Sequence, residues 1–142
     1  MAMVKDVAAA IVAALNANQE EFTEEFTAVR IYSLTKNWSD YTESPEVYVI
    51  PRKEVSQTED RENDRYEFGV GIAVIRKVPN TDVDTIDPLI LLPESIRDFL
   101  KRRDMAGCNY ENVTIEVLYG HDELNEFSCL VTTLGADYWI DQ

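Results

Sequence analysis

The sequence predicts an α+β fold: a mostly antiparallel sheet of about five strands flanked by two helices. Three observations lead there. Apolar residues recur at helical spacing near the start of the chain and again across residues 82–104. Alternating, β-branched segments of strand length fill the space between and after them. The resulting order, α-β-β-β-α-β-β, suits hairpin connections within each group of strands, with the helices packed against the sheet. One domain over residues 1–142 is expected at this length. Such a chain buries roughly 68–70% of its unfolded surface, enough for a core without cross-links.

The first helix is carried by Val4, Val7, Ala8, Ile11 and Leu15, which fall on one face. Its opposite face holds Ala9, Ala10 and Ala13 where Lys and Glu are usual. Alanine is the best helix former, and a smooth face also suits close approach to a second surface such as a neighbouring subunit. The start resembles a signal peptide only superficially. Asp6 interrupts its charged region, and the apolar spacing is helical, so the segment is expected to be mature sequence of a cytoplasmic protein.

Three strands are expected next. FTAVRIYSL (residues 26–34) is β-branched and alternating, whereas NWSDYTESP (37–45) reads as a loop despite Trp38 and Tyr41. EVYVIP (46–51) is a short strand that its proline should end. RYEFGVGIAVIRKV (65–78) is the longest strand, with Tyr66, Phe68, Val70, Ile72 and Val74 on one face. The other face carries Gly69, Gly71 and Ala73, so something can approach the sheet closely there.

Between the second and third strands lie residues 51–64, where Arg52, Lys53 and Arg61 mix with Glu54, Glu59, Asp60, Glu62 and Asp64. A hairpin that only reverses direction uses an Asn-Gly or Asp-Gly turn. This stretch has neither, and only Pro51 and Val55 are apolar. It is expected to be a long charged loop, an arm on a rigid base that serves to touch a partner.

The second helix is expected over residues 82–104, capped by Asp84 or Asp87 and buried through Leu89, Leu92, Ile96, Phe99 and Leu100. Pro88 fits its first turn, and Pro93 should kink or restart it. Lys101, Arg102 and Arg103 suit the dipole at its end. NVTIEVLYG and EFSCLVTTL complete the sheet, with HDELN as a turn between them.

Charge is the strongest global signal. With 27 acidic against 13 basic residues the net charge is −14, which repels DNA, RNA and anionic membranes. That excludes a conventional nucleic-acid-binding module, although not a protein that lets DNA pass without sticking. No apolar run approaches the roughly 20 residues of a membrane span. Cys108 and Cys129 have neither metal-ligand spacing nor a CxxC pairing and are expected to be reduced thiols. His121 is expected in a turn, and nothing fixes a triad with Ser128. Gly69-Val70-Gly71 lacks the third glycine of a dinucleotide fingerprint. The acidic clusters do not match a calcium loop. No catalytic residue, metal site or cofactor is expected.

The arrangement VAAAIVAALNA, FTAVRIYSL, EVYVIPR, a charged loop with Asp60-Arg61, YEFGVGIAVIRKV, IDPLILLPESIRDFLKR, VTIEVL and FSCLVTTL spans nearly the whole chain. It resembles the tail terminator, or neck, proteins of long-tailed bacteriophages. The resemblance implies a virion structural protein rather than an enzyme: a homo-oligomeric ring, commonly a homohexamer, on the head-proximal end of the tail tube. Such a ring ends tube polymerisation and joins the tail to the connector (stopper) protein of the head. DNA passes through its lumen without specific binding, and no membrane is involved. Its place is the neck of the virion, with assembly in the host cytoplasm.

The resemblance also puts the arm at a ring or tube contact, which makes Arg52, Lys53, Glu54, Glu59, Asp60, Arg61 and Asp64 the candidate partner contacts. The alanine face, the glycine stripe and the C-terminal aromatics add Ala9, Ala13, Gly69, Gly71, Tyr138 and Trp139 as candidate subunit contacts. A globule of this length has a radius of gyration of about 14–15 Å, so one copy cannot surround a duplex. Six copies would carry on the order of −80 charges, and an acidic lumen repels phosphate. Two other readings stay open. One is an acidic inhibitor or immunity-type protein that blocks a basic enzyme, which would be monomeric with its acids on one surface. The other is a small hydrolase using His121.

Overall fold

The computed structural model describes residues 3–58 and 63–142. Over these described residues the fold is α+β, with a five-stranded mixed sheet and three α-helices. In chain order the elements are α1 (Val4–Ala17), β1 (Ala28–Arg30), β2 (Glu46–Thr58), β3 (Asp64–Lys77), α2 (Val83–Leu100), β4 (Asn109–Val117), α3 (His121–Phe127) and β5 (Cys129–Asp141). Across the sheet the strands run β1-β2-β3-β5-β4. β1 lies parallel to β2, and every other pairing is antiparallel.

Both long helices cover one face of the sheet. Val7, Ala8, Ile11 and Leu15 of α1 and Leu92, Ile96, Phe99 and Leu100 of α2 share one buried cluster with Val49, Phe68, Val70, Ile72, Leu134 and Tyr138. The α1 stripe is thus the one its spacing predicts. Leu89 of α2 is only half-buried. The α2 cap differs from expectation: Asp82 occupies the N-cap, and Asn80 Oδ1 accepts a 3.0 Å bond from its N–H. Asp84 and Asp87 therefore lie inside the helix, and Pro88 lies in its second turn. Neither Pro88 nor Pro93 stops the helix. Each forfeits one backbone bond, but Leu92, Pro93 and Ile96 are buried against the sheet, and packing supplies most helix stability in a folded protein.

The opposite face is covered only at one end. There Tyr41, Ala73, Ile75, Cys129 and Val131 form a second buried cluster, capped by Trp38. Trp38 stacks on Phe127 of α3, with ring centroids 5.7 Å apart. This packing explains two departures from the sequence reading. The loop holding Trp38 and Tyr41 is a lid over the sheet, with Tyr41 buried. HDELN opens a helix rather than a turn, because Asp122 and Glu123 suit its N-terminus and Phe127 gains the Trp38 platform.

Pro51 decides how the first two strands end. Ile31 N–H donates to Val49 O at 3.0 Å. In a parallel ladder the Ile31 carbonyl would then accept from the N–H of residue 51. Proline has none, so β1 stops at Arg30 instead of running to residue 34. The same geometry lets β2 continue. The missing N–H faces the β1 side, away from β3, and costs no β2–β3 bond. β2 therefore runs past Pro51 to Thr58, with Arg52 forming a bulge, and pairs with β3 out to Thr58 opposite Asp64. The long loop expected over residues 51–64 is for the most part a strand ladder.

A second bulge changes a side-chain direction. Strict alternation would place Val117 with Val113 and Ile115 on the helix-covered face. The register shift at Glu116 instead sets Val117 opposite Thr133, on the outer face, where it is 46% exposed. The buried Arg76 closes one end of the sheet by donating to Glu24 Oε2 at 2.5 Å and to the Glu43 carbonyl at 2.6 Å. Among the described residues, no helix is long and apolar enough to cross a membrane.

Candidate functional site

Beyond the Trp38 lid no other described element covers the outer face of β2, β3, β5 and β4, and of the charged residues singled out from the sequence it carries Arg52 and Lys53. Registers fix its rows. Ile50, Gly71, Gly135 and Thr114 lie side by side across the four strands, and the next row is Lys53, Gly69, Asp137 and Asn112. Below it, Val55, Glu67 and Trp139 form a third.

The bulged residues Arg52 and Glu116 lie on the outer two of these four strands. Their side chains meet over the middle of the sheet, with Arg52 Nη1 2.5 Å from Glu116 Oε1. Glycine is what makes this approach fit. A Cβ on Gly71 would lie 2.5 Å from Arg52 Cδ, and one on Gly135 would overlap the Glu116 carboxylate. Gly69 likewise sits under Lys53, whose Cβ would be 3.3 Å from an added Cβ. The Gly69 and Gly71 stripe thus receives this chain's own Arg52 and Lys53. That corrects its assignment as a surface left free for a neighbouring subunit.

Arg52, Lys53, Thr114, Glu116 and Asp137 wall a shallow concavity of about 380 Å³ over this glycine floor. The crowding strips water from Asp137 and, with Glu116 nearby, raises its carboxyl above the usual range against the pull of Lys53 and Arg52. Below it, Arg65 stacks on Trp139, 4.2 Å from the ring centroid, and pairs with Glu67 and Glu111. Both signs are present across the face, with Arg52, Lys53 and Arg65 on β2 and β3 and Glu67, Glu111, Glu116 and Asp137 among and beside them.

The other expected contacts fall elsewhere. Glu54 is on the helix side, where its Oε1 accepts from Val4 N–H at 3.1 Å and holds the α1 N-terminus. Past that point β2, β3 and β5 continue as a three-stranded tongue, in which Asp64 exchanges two 2.9 Å backbone bonds with Gln142. Glu59, Asp60 and Arg61 lie outside the described residues. Ala9 and Ala13 are exposed on α1, and Trp139 is half-buried. Tyr138 has no exposed surface and packs edge-on against Tyr110. It is a core residue, not a subunit contact, because alternation along β5 puts it on the helix side.

The residues weighed for catalysis lie apart from this face. His121 is exposed on α3 beside Asn125. Cys108 and Cys129 are both free and buried. Among the described residues no His, Cys, Asp and Glu cluster could hold a metal ion. Sequence reasoning missed Glu116, Asp137 and Gly135. The polar alternation in VTIEV points to Glu116, but its pairing with Arg52 depends on two bulges that alternation does not reveal. No family model matches the chain, and no curated protein matches it.

Proposed function

We propose that this chain is a non-enzymatic assembly protein: a ring-forming tail terminator of a long-tailed phage. On this reading several copies close around the DNA path on the end of the tail tube, stop its growth and present a surface to the head connector. The observation that carries the reading is the exposed, mixed-charge outer face of the sheet, continued by the tongue of β2, β3 and β5. Such a surface offers many weak, directional contacts, which suits register in an assembly.

The distribution of acids favours this reading over an inhibitor of a basic enzyme. Among the described residues they are spread over α2 (Asp84, Asp87, Asp98), α3 (Asp122, Glu123) and the outer sheet face, rather than gathered on one surface. The partners on this reading are other copies of the chain, the tail tube protein and the connector protein. DNA is a passenger. The test is tube length: tail tube protein polymerised with this chain should give tubes of bounded length that no longer extend when fresh tube protein is added. Tubes that keep growing in its presence would overturn the proposal.

A further inference from the structure

We infer that copies of this chain associate side by side, the β4 edge of one sheet against the β1 edge of the next. The inference deepens the ring reading by naming the contact. Registers place Val29, Tyr48, Ala73, Thr133 and Val117 in one continuous row across all five strands. Its two end residues, Val29 and Val117, are each 46% exposed. Each is followed by further exposed apolar side chains, Tyr32 and Leu34 at the β1 edge and Leu118 and Tyr119 at the β4 edge. Apolar groups clustered at both ends of one row are more than the scattered exposure of an ordinary surface.

Charge points to a second copy as the occupant. β4 and α3 carry Glu111, Glu116, Asp122, Glu123 and Glu126 without one Lys or Arg. Glu111 and Glu116 pair within the chain with Arg65 and Arg52, which leaves the α3 acids, just after Tyr119, to meet a partner. At the other edge Arg30 lies over its own Tyr32 ring, 5.5 Å from the centroid, and meets no carboxylate among the described residues. The α3 acids follow the Leu118 and Tyr119 side chains in the chain, and Arg30 adjoins Val29 and Tyr32, so setting one copy against the next pairs unlike charges. The level of contact is also restricted. Pro51, the Arg52 bulge and Lys53 blunt the remaining edge of β2, devices that block strand addition. On β1 the Asn16 side chain takes the N–H and the carbonyl of Ala28, so among the described residues the contact falls to the side chains at Val29 and beyond. Because the two edges differ, the contact is head-to-tail and repeats until the rotation closes a ring.

The experiment mixes two full-length variants, Val29→Cys and Val117→Cys, under mild oxidation, and repeats the mixing for each pairing of the two apolar trios. A head-to-tail contact brings some pairing within disulfide reach, about 4.4–6.8 Å between Cα atoms. The mixture should then give a covalent dimer that neither variant gives alone, and a doubly substituted chain should give a ladder of covalent oligomers. Tyr32→Glu should weaken association by tenfold or more while leaving the circular dichroism unchanged. Cross-linking of each variant to itself but not to the other would overturn the inference, and so would no cross-link in any pairing. Light scattering on the parent chain separates the two failures. An oligomer without these cross-links rejects only the edge contact, whereas a strict monomer in the presence of tube protein rejects the ring as well.

Discussion

Arg52 of β2 and Glu116 of β4 meet across the two central strands, over Gly71 and Gly135. Two bulges lift the charged side chains, and two glycines leave the room beneath them. The arrangement places the pair on the surface, with the side chains 51% and 38% exposed. Solvent then screens most of the attraction. A double-mutant cycle on Arg52→Ala and Glu116→Ala should give a coupling below about 1 kcal/mol in urea denaturation. Gly71→Ala should push the flexible Arg52 side chain aside and leave the fold intact. A coupling of several kcal/mol would mean that the pair holds the sheet together.

Arg76 is the contrasting ion pair. It is 7% exposed and ties Glu24 to the Glu43 carbonyl, joining two loops to the end of β3. Arg76→Met leaves a half-buried carboxylate and a carbonyl without their donor, and should cost about 2–4 kcal/mol of stability. Urea denaturation measures it. A loss within 0.5 kcal/mol, about that of an ordinary surface substitution, would show that the loops are held by other contacts.

Pro51 ends β1 by withholding one donor. Pro51→Val restores an N–H facing the Ile31 carbonyl, so β1 should lengthen toward residue 34. Hydrogen exchange should then show a protected amide at position 51. The longer, unguarded edge should also aggregate more readily than the parent. A fast-exchanging amide at position 51 would contradict this account of where the strand stops.

Much of the fold was legible in the sequence because periodicity was strong where burial was one-sided. The α1 stripe and the Phe68, Val70, Ile72 and Val74 face of β3 match their spacing residue for residue. The second helix was legible too, although its cap was not, since three aspartates compete for one position. The charged stretch after Pro51 was misread for a physical reason. Hydrophobic content predicts whether a segment folds alone, and here the partner strand β3 supplies the bonds. Proline direction was the other hidden variable. Whether Pro51 ends a strand depends on which neighbour its missing N–H faces, and only the three-dimensional pairing says so. Of the candidate contacts, Arg52, Lys53 and Trp139 do share the outer face, whereas Tyr138 had to be inside by alternation along β5.

Thiols and phenols shielded from water, buried or half-buried, should set the alkaline limit. Loss of water around them raises the pKa values of Cys108, Cys129, Tyr41, Tyr48 and Tyr138, with a hydrogen bond to Glu46 adding to the effect at Tyr48. A raised pKa in the folded state means the folded chain holds the proton more tightly. That contribution is complete below the unfolded values, about 8.5 for Cys and 10 for Tyr, and is lost as pH rises through the folded values. Stability should therefore fall steadily above about pH 8.5. Urea denaturation at pH 7.5, 9 and 10 checks it, and unchanged stability to pH 10 would be inconsistent with burial of these groups. In parallel, a disulfide thiol reagent should find both cysteines unreactive in the folded chain and both reactive in urea.

The proposed closed ring is tested by negative-stain electron microscopy with native mass spectrometry on the same sample. The purified chain is mixed with tail tube protein at micromolar concentration. Rings with a central hole, at a mass of several copies and most simply six, are the expected result, seated on one end of each tube. Single particles of 16.2 kDa, with tube ends left bare, would contradict it.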